Sequence, residues 1–120
     1  MDPHFTGTLS LSNGKPGTLV VDHEFHFYDS EGTDWVVHQG DITNGASIPK
    51  ILKPIVGQSF QETYLPASVL HDVYCVSRTR TWQKTARMFY QAMTTNGVPW
   101  YKAYPMYLAV ISFGPHWVHP

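Results

Sequence analysis

The sequence has few residues that could cross-link the chain or charge its surface. It contains a single cysteine, Cys75, among 120 residues, which excludes an internal disulfide framework and a zinc site made only of cysteines. Charged residues make up 14% of the chain, well below the roughly 25% typical of soluble proteins. The 8 Lys and Arg residues nearly balance the 9 Asp and Glu residues, whereas proteins that neutralise phosphates need a clustered basic surplus. We therefore expect no nucleic acid partner, and we interpret the one short basic stretch, residues 77–80, as a solvated loop.

Long apolar runs are missing as well. The most apolar stretch, residues 98–117, is interrupted by Lys102 and three prolines, whereas a membrane-spanning helix needs about 20 consecutive apolar residues. The first residues of the sequence lack the basic segment and apolar run of a secretory signal. We expect neither a transmembrane segment nor a signal peptide.

The chain does have enough apolar residues, 42% of the total, to form the core of one domain spanning residues 1–120. Residues 5–38 alternate between apolar and polar side chains and are punctuated by turn clusters at 12–17 and 29–32. This pattern predicts a three-stranded antiparallel meander. The residues that we expect to face the core are Phe25, Phe27, Trp35 and Val37.

After residue 40 the pattern becomes helical. Residues 41–57 combine a tight turn with a short helix, for which Ser47 is the candidate N-cap. Further helices are predicted at about 65–75, 81–96 and 99–113. The last is apolar all round, which predicts that other elements surround it, and Pro105 predicts a kink or break within it. Strands followed by helices indicate an α+β fold, in which a small antiparallel N-terminal sheet of about three strands packs against three to four C-terminal helices.

The most informative local feature is the adjacent pair His71 and Asp72 in an otherwise apolar helix. Neighbouring residues on a helix point about 100° apart, so the two side chains could line one wide cleft without bonding to each other. In a functional interpretation His71 is a general base or metal ligand, and Asp72 is a second ligand or an orienting group. In a structural interpretation Asp72 holds the turn at residues 44–47, and His71 is a buried, hydrogen-bonded polar group.

Two further features near this pair could carry chemistry. Residues 43–49 pack a turn and a helix N-terminus into seven positions, and the N–H groups of such a terminus can bind an anion or carboxylate. Ordinary turn and cap chemistry also explains that stretch. Cys75 lies one helical turn after His71, but catalytic Cys–His pairs usually come from separate elements. We therefore interpret Cys75 as a small core residue.

At these motifs the sequence resembles the small phage and prophage family catalogued as domain of unknown function 1353. Its members characteristically contain T-D-x-A-S-I-P-R, then a-x-L-H-D-x-L-Y, then A-D-x-x-F-x-x-A-M. The corresponding stretches here are TNGASIPK at 43–50, ASVLHD at 67–72, and a helix with Arg87, Phe89 and Ala92-Met93. The resemblance covers nearly the whole chain and implies a phage or prophage gene product in the host cytoplasm or a virion. It implies no established activity.

The chain departs from the family pattern at three positions. Asn44 and Ala86 stand where Asp is usual, and Lys50 stands where Arg is common. If the family site is a carboxylate and histidine metal centre, only His71 and Asp72 are intact here, with Asn44 as a weaker neutral oxygen ligand. One divalent metal ion is the only cofactor that this pattern raises.

Two hypotheses from different classes follow. In the first, the protein is a phage-derived accessory protein that binds a phage structural protein or a host protein, with His71 and Asp72 as a structural pair. In the second, it is a metal-assisted or His-dependent hydrolase acting on the host cell wall or another polymer. The second assigns catalysis or metal binding to His71 and Asp72, and substrate binding to Asn44, Ser47 and Lys50. The neutral residues Asn44 and Ala86, at positions where the family has Asp, favour the first hypothesis.

Overall fold

The computed structural model describes residues 1–43 and 58–119, and for residues 58–62 the backbone only. The predicted turn and short helix at 41–57, with Asn44, Ser47 and Lys50, lie from residue 44 onward outside the described residues. The strands are β1 His4–Thr6, β2 Leu11–Asn13, β3 Leu19–Val21, β4 Phe25–Tyr28, β5 Asp34–Val37 and β6 Ile42–Thr43. The helices are α1 Gln58–Ser77, α2 Trp82–Thr95 and α3 Trp100–Phe113.

The strands form two antiparallel sheets of three strands each, in the orders β1-β4-β5 and β2-β3-β6. The α+β class is therefore confirmed, whereas the prediction of one small sheet is wrong. The first two predicted strands are each divided in the middle, and β6 continues the line of the third strand into residues 42–43, which were predicted as part of a turn. The pairing register nevertheless continues across the division. Nine residues after His4 lies Asn13, nine residues before its partner Tyr28 lies Leu19, and Asn13 pairs with Leu19. The second and third strands keep their register in the same way.

The division between the two sheets has a local cause in the first two strands. Gly7 directly follows β1 and has φ +83°, a left-handed conformation that interrupts a strand. On the facing strand, the Asp22 carboxylate accepts hydrogen bonds from the hydroxyls of Ser10 and Ser12, at 2.6 and 2.5 Å. The Asp22 backbone N–H also donates to the Ser10 carbonyl at 2.9 Å. Side-chain hydrogen bonds thus replace part of the ladder where the ribbon bends.

The predicted core face of the strands is confirmed. Phe25, Phe27, Trp35 and Val37 are each at most 1% exposed. Helix α1 packs against β5 and β6 and also against α2, and α2 in turn packs against α3. Within α2 the buried residues recur at helical spacing, as they do for Ala86, Phe89 and Met93. The core therefore lies between the strands and the helices and continues into the helical layer.

The helix boundaries differ from prediction at α1 and agree closely at the other two helices. Helix α1 begins at Gln58 rather than at residue 65, with Pro66 inside it. Thr81 is the N-cap of α2, as its Oγ1 accepts a hydrogen bond from Lys84 N at 3.1 Å. Helix α3 continues through Pro105 without a break. Because Pro105 is exposed, water can solvate the carbonyl that loses its helical partner.

The expectation that other elements surround α3 is wrong. Its buried residues, Ala103, Met106, Ala109 and Val110, occupy one side of the helix, and large apolar side chains remain exposed on the rest. These exposed residues are Trp100, Tyr101, Tyr104, Leu108 and Phe113. The aromatic rings explain the difference, because they raise the apolar count of the helix without requiring burial. Among the described residues, no helix is long and apolar enough to cross a bilayer.

Candidate functional site

His71 lies in the core, on the side of α1 that faces α2. It is 3% exposed, and its ring centroid is 5.0 Å from that of Phe89. Both ring nitrogens lie 3.6 Å from the Cys75 sulfur, one helical turn further along α1. Burial lowers the pKa of His71 to about 4, because desolvation disfavours the charged imidazolium. The imidazole is therefore neutral at physiological pH.

Asp72 contacts a different element. Its Oδ2 accepts a hydrogen bond of 2.6 Å from the hydroxyl of Thr43, which is the last residue of β6 and is 1% exposed. The structural interpretation expected Asp72 to hold the turn at 44–47, and this contact is made at the residue directly before that turn. The hydrogen bond joins α1 to the end of the second sheet.

Among the described residues, His71 and Asp72 contact different elements. Because they are adjacent on a helix, His71 packs toward α2 and Asp72 bonds to β6. The candidate substrate-binding residues Asn44, Ser47 and Lys50 lie outside the described residues. Ala86, one of the positions where the family pattern has Asp, is fully buried on α2.

Cys75 has the electrostatics of a core thiol. Burial is the main cause that raises its pKa to about 12, and the negative charge of Asp72 raises it further. A nucleophilic cysteine needs the opposite change, since the thiolate is the reactive form and a charged imidazolium beside it stabilises that form. Next to Cys75 lies a neutral histidine. The contact between the two side chains is thus typical of packing.

The part of the chain that the structure describes brings some His, Asp and Glu side chains together, as where His26 contacts Glu24 and Asp34. No group of three or more His, Cys, Asp or Glu residues there could hold a metal ion. By sequence, residues 44–57 contain none of these four residue types. Glu62, whose side chain lies outside the described residues, is the one further carboxylate in the undescribed part by sequence. A metal site that used His71 and Asp72 without Glu62 would draw its remaining ligands from amides, hydroxyls or carbonyls, which suit hard cations better than zinc.

A second arrangement, which the sequence interpretation missed, has neither His71 nor Asp72 in its lining. It is a cavity of 280 Å³ between the turn joining β4 to β5, residues 79–81, the first turns of α2 and His119. Three basic side chains line it: Arg80, Lys84 and Arg87. Residues 77–80 were interpreted as a solvated loop, but Arg80 is partly buried. Its guanidinium lies 4.5 Å from the Trp35 ring centroid.

The segment after α3 folds back over this region. The Trp117 indole N–H donates to the Arg80 carbonyl at 2.8 Å, and His119 Nε2 lies 2.7 Å from the Thr79 carbonyl oxygen. The His116 ring stacks on Trp82 at a centroid distance of 3.7 Å. These contacts attach the segment after α3 to the loop between α1 and α2. Spacing in the sequence gave no signal for them, because they join residues more than 30 positions apart.

Comparison with known proteins gives a family and two relatives. The family model described as "Protein of unknown function (DUF1353)" matches residues 19–110. The uncharacterized proteins y4iH and y4jT of Sinorhizobium fredii (strain NBRC 101917 / NGR234) are 37% and 46% identical to the chain, over 94% of its length in each case. The aligned regions make up 48% and 36% of those two proteins, so the chain spans less than half of their length. No solved structure matches the chain.

Proposed function

The chain belongs to the DUF1353 family, whose function is unknown, and we propose from its site that it is a small accessory protein of phage or prophage origin. It acts by binding a virion or tail component or a host protein, and not by catalysis. In this proposal His71 and Asp72 are structural: they fix α1 between α2 and β6.

The burial of His71 is the observation that carries the proposal. A general base must come within about 3 Å of the proton that it removes, and a metal ligand must present a ring nitrogen to the ion. At 3% exposure, with its ring against Phe89 and Cys75, His71 presents its nitrogens to the interior. The hydrogen bond from Thr43 likewise occupies one carboxylate oxygen of Asp72.

The exposed side of α3 supports a binding role. Trp100 and Phe113 are 68% and 74% exposed, and Tyr101 and Tyr104 are also exposed. Aromatic residues are enriched where proteins contact one another, because they bury a large area at low cost in conformational entropy. An accessory protein that works by association would use a surface of this composition.

The competing hypothesis is a metal-assisted or His-dependent hydrolase that acts on the host cell wall or another polymer. The two hypotheses differ in what His71→Ala does. A structural histidine that leaves buried partners unsatisfied should cost about 1–3 kcal/mol of unfolding free energy when removed. A catalytic histidine should cost activity with little loss of stability, since functional sites are seldom optimised for stability.

The experiment compares the wild type, His71→Ala and the control His23→Ala, all without a histidine tag. His23 is exposed, so its removal should change stability by less than about 0.5 kcal/mol. We measure urea unfolding, metal content by native mass spectrometry, and release of soluble fragments from purified bacterial cell wall. We expect a metal-free wild type that releases no fragments and a His71→Ala variant that is destabilised. Fragment release that is lost in His71→Ala while stability is kept would establish the hydrolase instead, and one metal ion per chain lost in the same way would contradict the purely structural role of His71.

A further inference from the structure

The 280 Å³ cavity beside Arg80, called the Arg80 cavity below, has walls from three separate parts of the chain. The β4–β5 turn supplies Asp29 and Glu31, the start of α2 supplies Lys84 and Arg87, and His119 closes one side. Pockets for drug-sized ligands run to roughly 300–1,000 Å³. A space just below that range suits a small ligand or one chemical group of a larger ligand.

Arg80 is held rigidly at the wall of this cavity. Its guanidinium carbon lies 4.5 Å from the ring centroid of Trp35 and 5.5 Å from that of Tyr74. Both rings are fixed in turn, because the Trp35 indole donates to Asp29 Oδ2 at 2.9 Å and the Tyr74 hydroxyl accepts from Val36 N at 3.0 Å. A stacked guanidinium keeps its N–H donors in a fixed plane.

One donor of this guanidinium has no acceptor. Arg80 Nη1 is buried from solvent and has no hydrogen-bond partner in the part of the chain that the structure describes. Buried polar groups are nearly always hydrogen-bonded, and a buried donor without an acceptor costs about 1–3 kcal/mol. Nη1 itself is closed to solvent, so a ligand in the cavity would reach the guanidinium through its other N–H groups. Because Arg80 lines the cavity and has no ion pair with a described residue, an anionic ligand fits this wall best.

The acidic residues in the wall do not supply that oxygen. Asp29 Oδ1 accepts from the backbone N–H groups of Glu31 and Thr33, at 2.9 and 3.0 Å, and its Oδ2 accepts from Trp35. Glu31 pairs with Arg87 at 3.1 Å. Asp29 is therefore committed to shaping the turn.

The charge balance of the cavity is left positive. The Glu31–Arg87 pair is exposed, with side chains 65% and 55% accessible, and such surface pairs are weak enough for Arg87 to exchange its partner. Lys84 makes no ion pair with any described residue. The N-terminus of α2 adds its partial positive charge at the same end. Set against the two carboxylates of Asp29 and Glu31, the three cations leave one net positive charge, which favours an anionic ligand.

We propose that the Arg80 cavity is a binding site for a phosphate group. Arg80 donates to the phosphate oxygens from its aromatic platform, while Lys84 and Arg87 add positive charge from the side of α2. This site is distinct from His71 and Asp72 and does not depend on the accessory role. The phosphate can be free inorganic phosphate or the terminal group of a phosphomonoester, and the two sources share this chemistry.

The test is a titration with inorganic phosphate near pH 7.5, at ionic strength held constant with NaCl, followed by the fluorescence of Trp35 and its neighbours and by calorimetry. Arg80→Gln should weaken binding at least about tenfold, because it removes a charged hydrogen bond. Arg78→Gln is the matched control, since Arg78 lies in the same loop and is exposed but does not line the cavity. We expect it to bind phosphate as the wild type does.

Lys84→Gln keeps the proposal testable if Arg80→Gln does not fold, because Lys84 is exposed and its removal should weaken binding about threefold or more. Tighter binding of glycerol 3-phosphate than of inorganic phosphate would identify a phosphomonoester as the ligand, and equal or weaker binding would identify free phosphate. Three results would overturn the proposal: no saturable binding, equal weakening by Arg78→Gln, or acetate binding as tightly as phosphate. Unaltered binding in folded Arg80→Gln or in Lys84→Gln would overturn it as well.

Discussion

At the scale of single residues, the burial of His71 couples folding to pH. The pKa of this group is about 4 in the folded protein against an ordinary value of 6.5, so between these values the unfolded chain binds a proton that the folded chain does not. The stability that the neutral imidazole contributes is fully present above about pH 6.5 and is lost as the pH falls toward about 4. His71 should therefore act as an acid-sensitive point in the core.

We predict that lowering the pH from about 7.5 to about 5 removes about 2 kcal/mol of unfolding free energy through His71 alone. Urea unfolding of the wild type and of His71→Leu at both pH values isolates this contribution, because leucine does not titrate. His26 works in the opposite direction: its hydrogen bond with Asp34 is the main cause that raises its pKa, so its contribution is present below pH 6.5 and is lost as the pH rises. The His26 contribution is present in both the wild type and His71→Leu, so it cancels in the comparison. An identical pH dependence in the two would contradict the prediction.

At the scale of elements, the bend between the two sheets depends on Gly7. Its φ of +83° lies in the left-handed region, and a Cβ there would lie 3.3 Å from the Cβ of the buried Phe25. Gly17 has the same φ of +83°, but nothing lies within 4 Å of the Cβ position. The two glycines thus share the backbone requirement and differ in packing.

We predict that Gly17→Ala costs about 1 kcal/mol, from backbone strain alone. Gly7→Ala should cost about 2 kcal/mol or more, because close contact with Phe25 adds to the same strain. Chemical denaturation of both variants at one pH measures the difference. Equal losses would mean that Phe25 moves aside freely and that packing does not define the bend.

The features that the sequence predicted best are those that depend on neighbouring residues. Alternation identified the buried face of Phe25, Phe27, Trp35 and Val37, and Thr81 was recognisable as a helix start from its residue type. The division into two sheets was not predictable, because the alternation of apolar and polar residues continues through Gly7, whereas the Gly7 backbone adopts a left-handed conformation. The same limit applies to the site. A histidine beside an aspartate shows that polar groups are present, but only the packing of α2 and β6 decides what each of them contacts.

The Arg80 cavity was harder to anticipate because its walls are distant in sequence, from residue 29 to residue 119. At the scale of the whole molecule these walls are tied together by side chains. Gln91 of α2 accepts from Ser30 N at 2.8 Å and donates to Ser30 Oγ at 3.1 Å, which fixes the β4–β5 turn to the helix. The segment after α3 fixes the other side. The cavity is therefore a product of the assembled fold and of no single motif.

This arrangement makes Trp117 a structural link between the end of the described chain and its middle. Its indole N–H donates to the Arg80 carbonyl, and the Arg78 guanidinium lies 5.4 Å from its ring centroid. Trp117→Phe keeps an aromatic ring and removes the donor, so we predict a loss of about 1 kcal/mol of unfolding free energy, the usual net value of one hydrogen bond. Trp100→Phe is the matched control, since Trp100 is 68% exposed and its change should lie within about 0.5 kcal/mol of zero.

Thermal or urea unfolding distinguishes the two variants, and amide exchange of residues 78–81 reports on the same link locally. Because the loop carries Arg80, exchange there should be faster in Trp117→Phe and unchanged in Trp100→Phe. If both variants unfold and exchange as the wild type does, the segment after α3 lies on the loop without stabilising it. A loss confined to Trp117→Phe would mean that the order of the cavity wall depends on contacts from the far end of the described chain.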